Sequence, residues 1–185
     1  MLDNAAALDQ FLQSIERRAY RIAYIATSNT EEALDLVQDA MFKLVQKYSH
    51  KPETEWPALF YTILNSRIYD WYRKSSVRNR WLGWLPGQRQ ADDDNTQPAD
   101  PISQCEDTRA AGPEQVIEQT ATMQTIESAL QTLPLRQQQA FLLRMWEEFS
   151  VEETAGIMGC SQGSVKTHCF RAIARLRELL EDKEL

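Results

Sequence analysis

The stretch that most limits how this chain can fold lies in its middle. Residues 91–115, ADDDNTQPADPISQCEDTRAAGPEQ, hold three prolines and seven acids against a single base. Proline breaks helix hydrogen bonding, the acids repel one another, and too few large apolar side chains are present to offset the entropy of ordering the backbone. The segment reads as a linker between two blocks, residues 1–90 and 116–185. In both blocks apolar residues recur at helical spacing, and no run alternates strictly as a half-buried strand does. The expected fold class is all-α: two small helical domains joined by a flexible acidic linker.

The linker also accounts for most of the charge. The formal net charge of the 185 residues is −7. Lys and Arg number 12 against 10 Asp and Glu in residues 1–90, one against seven in the linker, and seven against ten in residues 116–185. The acidity therefore does not describe the surface that would face a nucleic acid. With 43% apolar and 9% aromatic residues the blocks can bury real cores. The three cysteines, Cys105, Cys160 and Cys169, are odd in number and form no CxxC pair, which fits a reduced cytoplasm. The first residues mix charges into their apolar positions, unlike a signal peptide, and no apolar run approaches the roughly 18 residues of a spanning helix. A soluble, cytoplasmic protein is expected.

In the C-terminal block, residues 149–171 read FSVEETAGIMGCSQGSVKTHCFR. Ser150 and Glu153 have the spacing of a capping box at a helix start. Ala155, Gly159 and Val165 fit a helix-turn-helix: a small residue for close approach, a glycine for φ > 0 in the turn, and a branched plug between the helices. Ser161 can cap the second helix, whose stripe Val165, Cys169, Ala172, Leu176 and Leu179 or Leu180 should be buried. Ser164, Thr167 and Arg171 lie on the opposite face, with Lys166, His168 and Arg175 beside them. Short polar groups backed by cations suit base edges and phosphates in a major groove, although a plain helical hairpin with a solvated basic face has the same pattern. GCSQG, residues 159–163, matches the nucleophile elbow of hydrolases, but it follows a helix and lacks the later acid-then-histidine order. Cys160, His168 and Cys169 lack a fourth ligand and zinc spacing.

In the N-terminal block, Asn29 and Glu32 form another cap-like pair, followed by a core stripe Leu34, Val37, Met41, Leu44 and Tyr48. Asp35, Gln38, Asp39 and Phe42 fall on a neighbouring stripe, suited either to a basic partner helix or to solvent. Residues 56–85 then carry four of the five tryptophans, and residues 57–89 carry six bases against one acid, Asp70. Leu59, Phe60, Ile63 and Leu64 make a core face. Tyr61, Tyr69 and Tyr72 are expected on the other side, with Arg73, Lys74, Arg78, Arg80 and Trp81 following. Flat rings among cations suit unpaired nucleic acid; packing in a core or interface is the competing reading.

Taken together, these residues resemble the extracytoplasmic-function (group-four) sigma factors of bacterial RNA polymerase over residues 8–181. The resemblance rests on DLVQD with Phe42 three residues later, on Trp56, Phe60 and Ile63, on Asp70, Arg73 and Lys74, and on LPLRQQQAFLLR followed by the helix-turn-helix. It implies that Asp35, Gln38, Asp39 and Phe42 engage the clamp helices of the polymerase's largest subunit. It implies that residues 65–80, with Trp56 and Tyr61, read and melt the minus-10 element; the residues concerned are Asn65, Tyr69, Tyr72, Arg73, Lys74, Arg78 and Arg80. Ser164, Lys166, Thr167, His168, Arg171 and Arg175 would read the minus-35 element in duplex DNA. The linker would thread the polymerase's nucleic-acid channel, and an anti-sigma factor would be a further partner. Two positions depart from the pattern: His168 stands where arginine is frequent, and Ser66 where asparagine is common. No P-loop, metal cluster or catalytic triad accompanies these motifs, so neither enzymatic activity nor a cofactor is expected. An independent helix-turn-helix operator-binding regulator is the alternative; a purely protein-binding helical adaptor would leave Lys166 and Arg171 without a purpose.

Overall fold

The computed structural model describes residues 2–82 and 123–181, with side chains described over 5–76 and 123–181. The linker 91–115 and the side chains of Arg78, Arg80 and Trp81 lie outside the described residues. Those described are helical, and no strand is found among them.

Three helices build the N-terminal block: α1 (Leu2–Thr27), α2 (Thr30–Tyr48) and α3 (Trp56–Leu82). Leu8, Ile15, Ala19, Ile22 and Ala23 give α1 one buried stripe. The helix stops where Ser28 takes a left-handed φ of 52° while its N–H donates to the Tyr24 carbonyl at 2.7 Å. Asn29 then caps α2, accepting from the Glu32 N–H at 3.0 Å, and Glu31 and Glu32 complement the positive end of the helix dipole. The core face of α2 is rotated from the expected stripe. Val37 and Leu44 are buried as anticipated, but Leu34, Met41 and Tyr48 are only partly so, while Ala33, Leu36 and Ala40 are buried. Small residues let α1 and α2 approach closely, and a heptad count based on large side chains overlooks them. On α3, Phe60, Ile63, Leu64 and Ile68 are buried, and Trp56 is anchored by its indole N–H donating to the Tyr48 carbonyl at 3.3 Å.

The C-terminal block begins with a helix over residues 123–131, here α4, followed by α5 (Leu135–Phe141). Pro134 precedes α5, where its fixed φ suits a helix start. From Leu142 to Trp146 the chain widens into a π-helical turn, and Glu148 then takes a left-handed φ of 57°. The helix-turn-helix follows as α6 (Val151–Met158) and α7 (Gln162–Glu181). Its capping box is complete: the Glu153 N–H donates to Ser150 Oγ at 3.1 Å, and the Ser150 N–H donates to Glu153 Oε2 at 2.8 Å. Gly159, at φ 60°, supplies the left-handed turn, and Ser161 Oγ accepts from the Ser164 N–H at 3.1 Å. Val165, Cys169, Ala172 and Leu176 form the buried stripe of α7, with the Cys169 thiol donating to the Ala140 carbonyl.

The two blocks pack against each other, and their buried side chains form one continuous cluster. Gln138 of α5, fully buried, donates to the Ile25 carbonyl of α1 at 3.2 Å and to the Leu130 carbonyl at 3.1 Å. Asn65 of α3 donates to the Ile157 carbonyl of α6 at 3.3 Å.

Candidate nucleic-acid and partner interfaces

Helix α7 presents the surface its sequence pattern forecasts. Lys166, Thr167, Arg171 and Arg175 are exposed and Ser164 is half-buried. Two of these side chains are engaged locally: Thr167 Oγ1 donates to the Gly163 carbonyl at 3.0 Å, and Arg175 pairs with Glu178 at 2.9 Å. Lys166 and Arg171 therefore carry the free positive charge of this face. His168 is set apart from them. It is half-buried, its Nδ1 is shielded without a hydrogen-bond partner, and burial together with the Arg136 and Arg171 guanidinium groups holds its pKa below the ordinary histidine range. The helix also carries Phe170, 74% exposed, between Thr167 and Arg171. Sequence reasoning passed over this residue, although an aromatic just off the Val165–Cys169–Ala172 stripe of a reading helix is itself a signal.

On α2, Asp35, Gln38 and Asp39 are exposed and Phe42 is 69% exposed, so the four share an open face. The tertiary structure adds an opposing wall. A groove of about 640 Å³ is lined by Glu32, Asp35 and Asp39 of α2 and by Arg67, Asp70, Arg73 and Lys74 of α3, together with Leu36 and Trp71. Arg73 and Asp70 pair across its α3 side. Acids from one motif and bases from another thus line a single feature. Arg67 belongs to neither motif, yet its Nε is shielded without a hydrogen-bond partner.

The remaining α3 residues correct the sequence expectation. Trp56, Tyr61 and Asn65 are 1%, 2% and 5% exposed, so none presents a free surface in this arrangement. Tyr61, expected on the outer face, stacks edge-to-face on Phe149 of the C-terminal block, with ring centroids 5.4 Å apart. Burial, and then the neighbouring Glu147 carboxylate, push its phenol well above the ordinary tyrosine range. Tyr69 is half-buried beneath the Arg136 guanidinium, 5.3 Å from the ring centroid. Of the minus-10 candidates among the described residues, only Tyr72, Arg73 and Lys74 are exposed. The physical reason is that α3 has two covered faces, one packed in its own block and one against α6. A periodicity argument that assumes one core places the second face in solvent.

A helical molecule that joins a helix-turn-helix to an aromatic-basic helix beside an exposed acidic stripe belongs to the class of DNA-reading transcription factors that assemble with a larger partner. Comparison with known proteins narrows this. The family profile described as Sigma-70 region 2 matches residues 11–78, and that described as Sigma-70, region 4 matches residues 123–176. An "RNA polymerase sigma-E factor" of Streptomyces avermitilis is 29% identical over 177 residues, covering 96% of this chain and 87% of that protein. The "ECF RNA polymerase sigma factor EcfG" of Rhodopseudomonas palustris is 30% identical over 166 residues, covering 88% of this chain and 78% of its own length. Among solved structures, the sigma factor RpoE in complex with the anti-sigma factor NepR from Bartonella quintana matches with a TM-score of 0.63 and 28% identity, over 93% of this chain and 97% of that one. The chain belongs to the ECF sigma factors of RNA polymerase. It is an initiation factor that directs promoter-specific transcription, not an enzyme, and the match of both blocks disfavours the independent operator-binding regulator. Among the described residues no helix is long and apolar enough to cross a membrane.

Proposed function

We propose that the roles divide along the chain as follows. Residues 1–90 dock the polymerase and open the minus-10 element, residues 91–115 thread the polymerase as an acidic mimic of a nucleic-acid backbone, and residues 116–185 read the minus-35 element. Docking runs through Asp35, Gln38, Asp39 and Phe42 against the clamp helices of the largest subunit. The observation that carries this reading is the exposure of all four on one face of α2, where Asp35 and Asp39 also line the groove that holds Arg73 and Lys74. Exposed carboxylates around an exposed aromatic suit a basic partner helix, which they steer and hold in register. Minus-35 reading falls to Lys166, Thr167 and Arg171, with Phe170 added as an apolar contact for thymine methyl groups in the major groove. Minus-10 strand contacts fall to Tyr72, Arg73 and Lys74 in the arrangement seen, and to Tyr69, Asn65 and Tyr61 when the blocks part. An anti-sigma factor is a further expected partner, as it is for the solved relative from Bartonella quintana.

The test is enrichment of a genomic promoter-fragment pool by the purified chain with and without core polymerase. Enrichment of one promoter class only with core present supports the division of roles. Asp39→Lys should abolish core binding while leaving the helical circular dichroism intact; normal core affinity in that variant would refute the docking face.

A further inference from the structure

Three basic side chains of the C-terminal block meet beside the reading face, and one of them is a histidine. Arg136 of α5 is brought near His168 and Arg171 of α7 because the two helices pack together, with the Cys169 thiol donating to the Ala140 carbonyl at 3.4 Å. Both arginines are exposed, whereas His168 is half-buried with its Nδ1 shielded and unpartnered. Among the described residues no carboxylate pairs with either arginine. Arg136 rests instead over the Tyr69 ring, 5.3 Å from its centroid, and a ring face attracts a cation without neutralising it. Cys160 of the turn lies near that phenol and brings no cation or carboxylate. Burial first, and then the two guanidinium groups, oppose the imidazolium form of His168. An anion set among the three reverses the field at the imidazole, and finds charge-assisted donors on every side.

We propose that Arg136, His168 and Arg171 form a seat for one backbone phosphate of the minus-35 duplex, and that His168 takes up a proton from solvent as the phosphate arrives. The proposal rests on the minus-35 reading given above and adds Arg136, which lies outside the reading helix. Phosphate contacts fix the register and orientation of a protein on the duplex, while base contacts specify its sequence. The seat therefore orients α7 in the groove without adding to its sequence preference. An arginine at position 168 holds the same phosphate at any pH, whereas a histidine ties the hold to proton uptake. Because the proton is bound more tightly in the complex than in the free chain, affinity rises as pH falls from above the bound pKa towards the free one.

The test uses the polymerase holoenzyme and a fluorescent duplex carrying the minus-35 segment of the promoter class that it enriches, with a scrambled segment as reference. Between pH 7.5 and 6.0 the affinity of the wild type should rise by up to about tenfold more than that of His168→Gln, since each pKa unit gained on binding is worth about tenfold. His168→Arg should bind tightly at both pH values. Arg136→Ala should weaken binding to every promoter of the class alike, and should lower the slope of log affinity against log salt by about one. Uncharged methylphosphonate, scanned along the backbone, should reveal one position where the extra pH response vanishes and Arg136→Ala costs nothing further. Equal pH responses in the wild type and His168→Gln overturn the proton uptake, and an unchanged salt slope in Arg136→Ala overturns the seat. A wild type that binds the scrambled segment as well as the authentic one overturns the minus-35 reading, and the seat with it. Retained sequence preference with unmoved pH and salt responses overturns the seat alone.

Discussion

Helices α3 and α7 are the two elements assigned to DNA, and they differ in how they meet the rest of the protein. Helix α7 buries one stripe and leaves the opposite side to solvent, so Phe170 stands 74% exposed. Helix α3 is gripped on two sides, so Trp56 and Tyr61 are almost wholly enclosed. Chemically similar side chains therefore carry different work: on α7 an aromatic is available for recognition, and on α3 most aromatics hold the structure together. Exposure, rather than residue type, separates the two.

The largest effect that tests this contrast comes from deleting rings. Trp56→Ala should cost about 3–5 kcal/mol of stability, through the cavity left and the lost indole hydrogen bond. Phe170→Ala should change stability by less than about 0.5 kcal/mol in the same denaturant titration. Equal losses would erase the distinction. Next, Arg171→Ala should weaken minus-35 binding by about 1–3 kcal/mol in holoenzyme gel shifts, with an unaltered melting temperature. A melting shift instead would make Arg171 a structural residue. Third, Ser150→Ala removes one half of the capping box that starts the helix-turn-helix, and should destabilise the chain by about 1 kcal/mol. The smallest effect concerns acid. Because the folded pKa of His168 lies below its unfolded value, the unfolded chain binds the proton more readily, and stability is lost as pH falls through the ordinary histidine range. The melting temperature of His168→Gln should therefore decline less between pH 7.5 and 5.5 than that of the wild type.

The parts legible in the sequence were those fixed by neighbours along the chain. Ser150 with Glu153, Asn29 with Glu32, and the Ala155–Gly159–Val165 spacing each specify a cap or turn within one or two helical turns, and each appears where expected. The Asp35–Phe42 stripe was equally readable, because one helix sets its own face. What escaped depended on distant partners. Tyr61 and Asn65 are covered by residues 88 and 92 positions later, Phe149 and Ile157. Arg67 joins the groove only through the pairing of α2 with α3. The π-helical turn at Leu142–Trp146 left no composition signal, since LLRMW serves an ordinary helix as well.

The groove shared by Asp35, Asp39, Arg67, Arg73 and Lys74 has a consequence for how such a protein can diversify. Charges that line one cleft feel one another wherever their separation is comparable with the Debye length, roughly 8 Å at physiological salt. Under the proposed division of roles, a substitution that retunes strand contacts on the α3 wall would also change the field felt by the polymerase at the α2 wall. Promoter taste and competitiveness for a limited pool of polymerase would then be tied to one electrostatic dial. Variants that drift toward new DNA sequences should carry compensating charge changes on the facing helix.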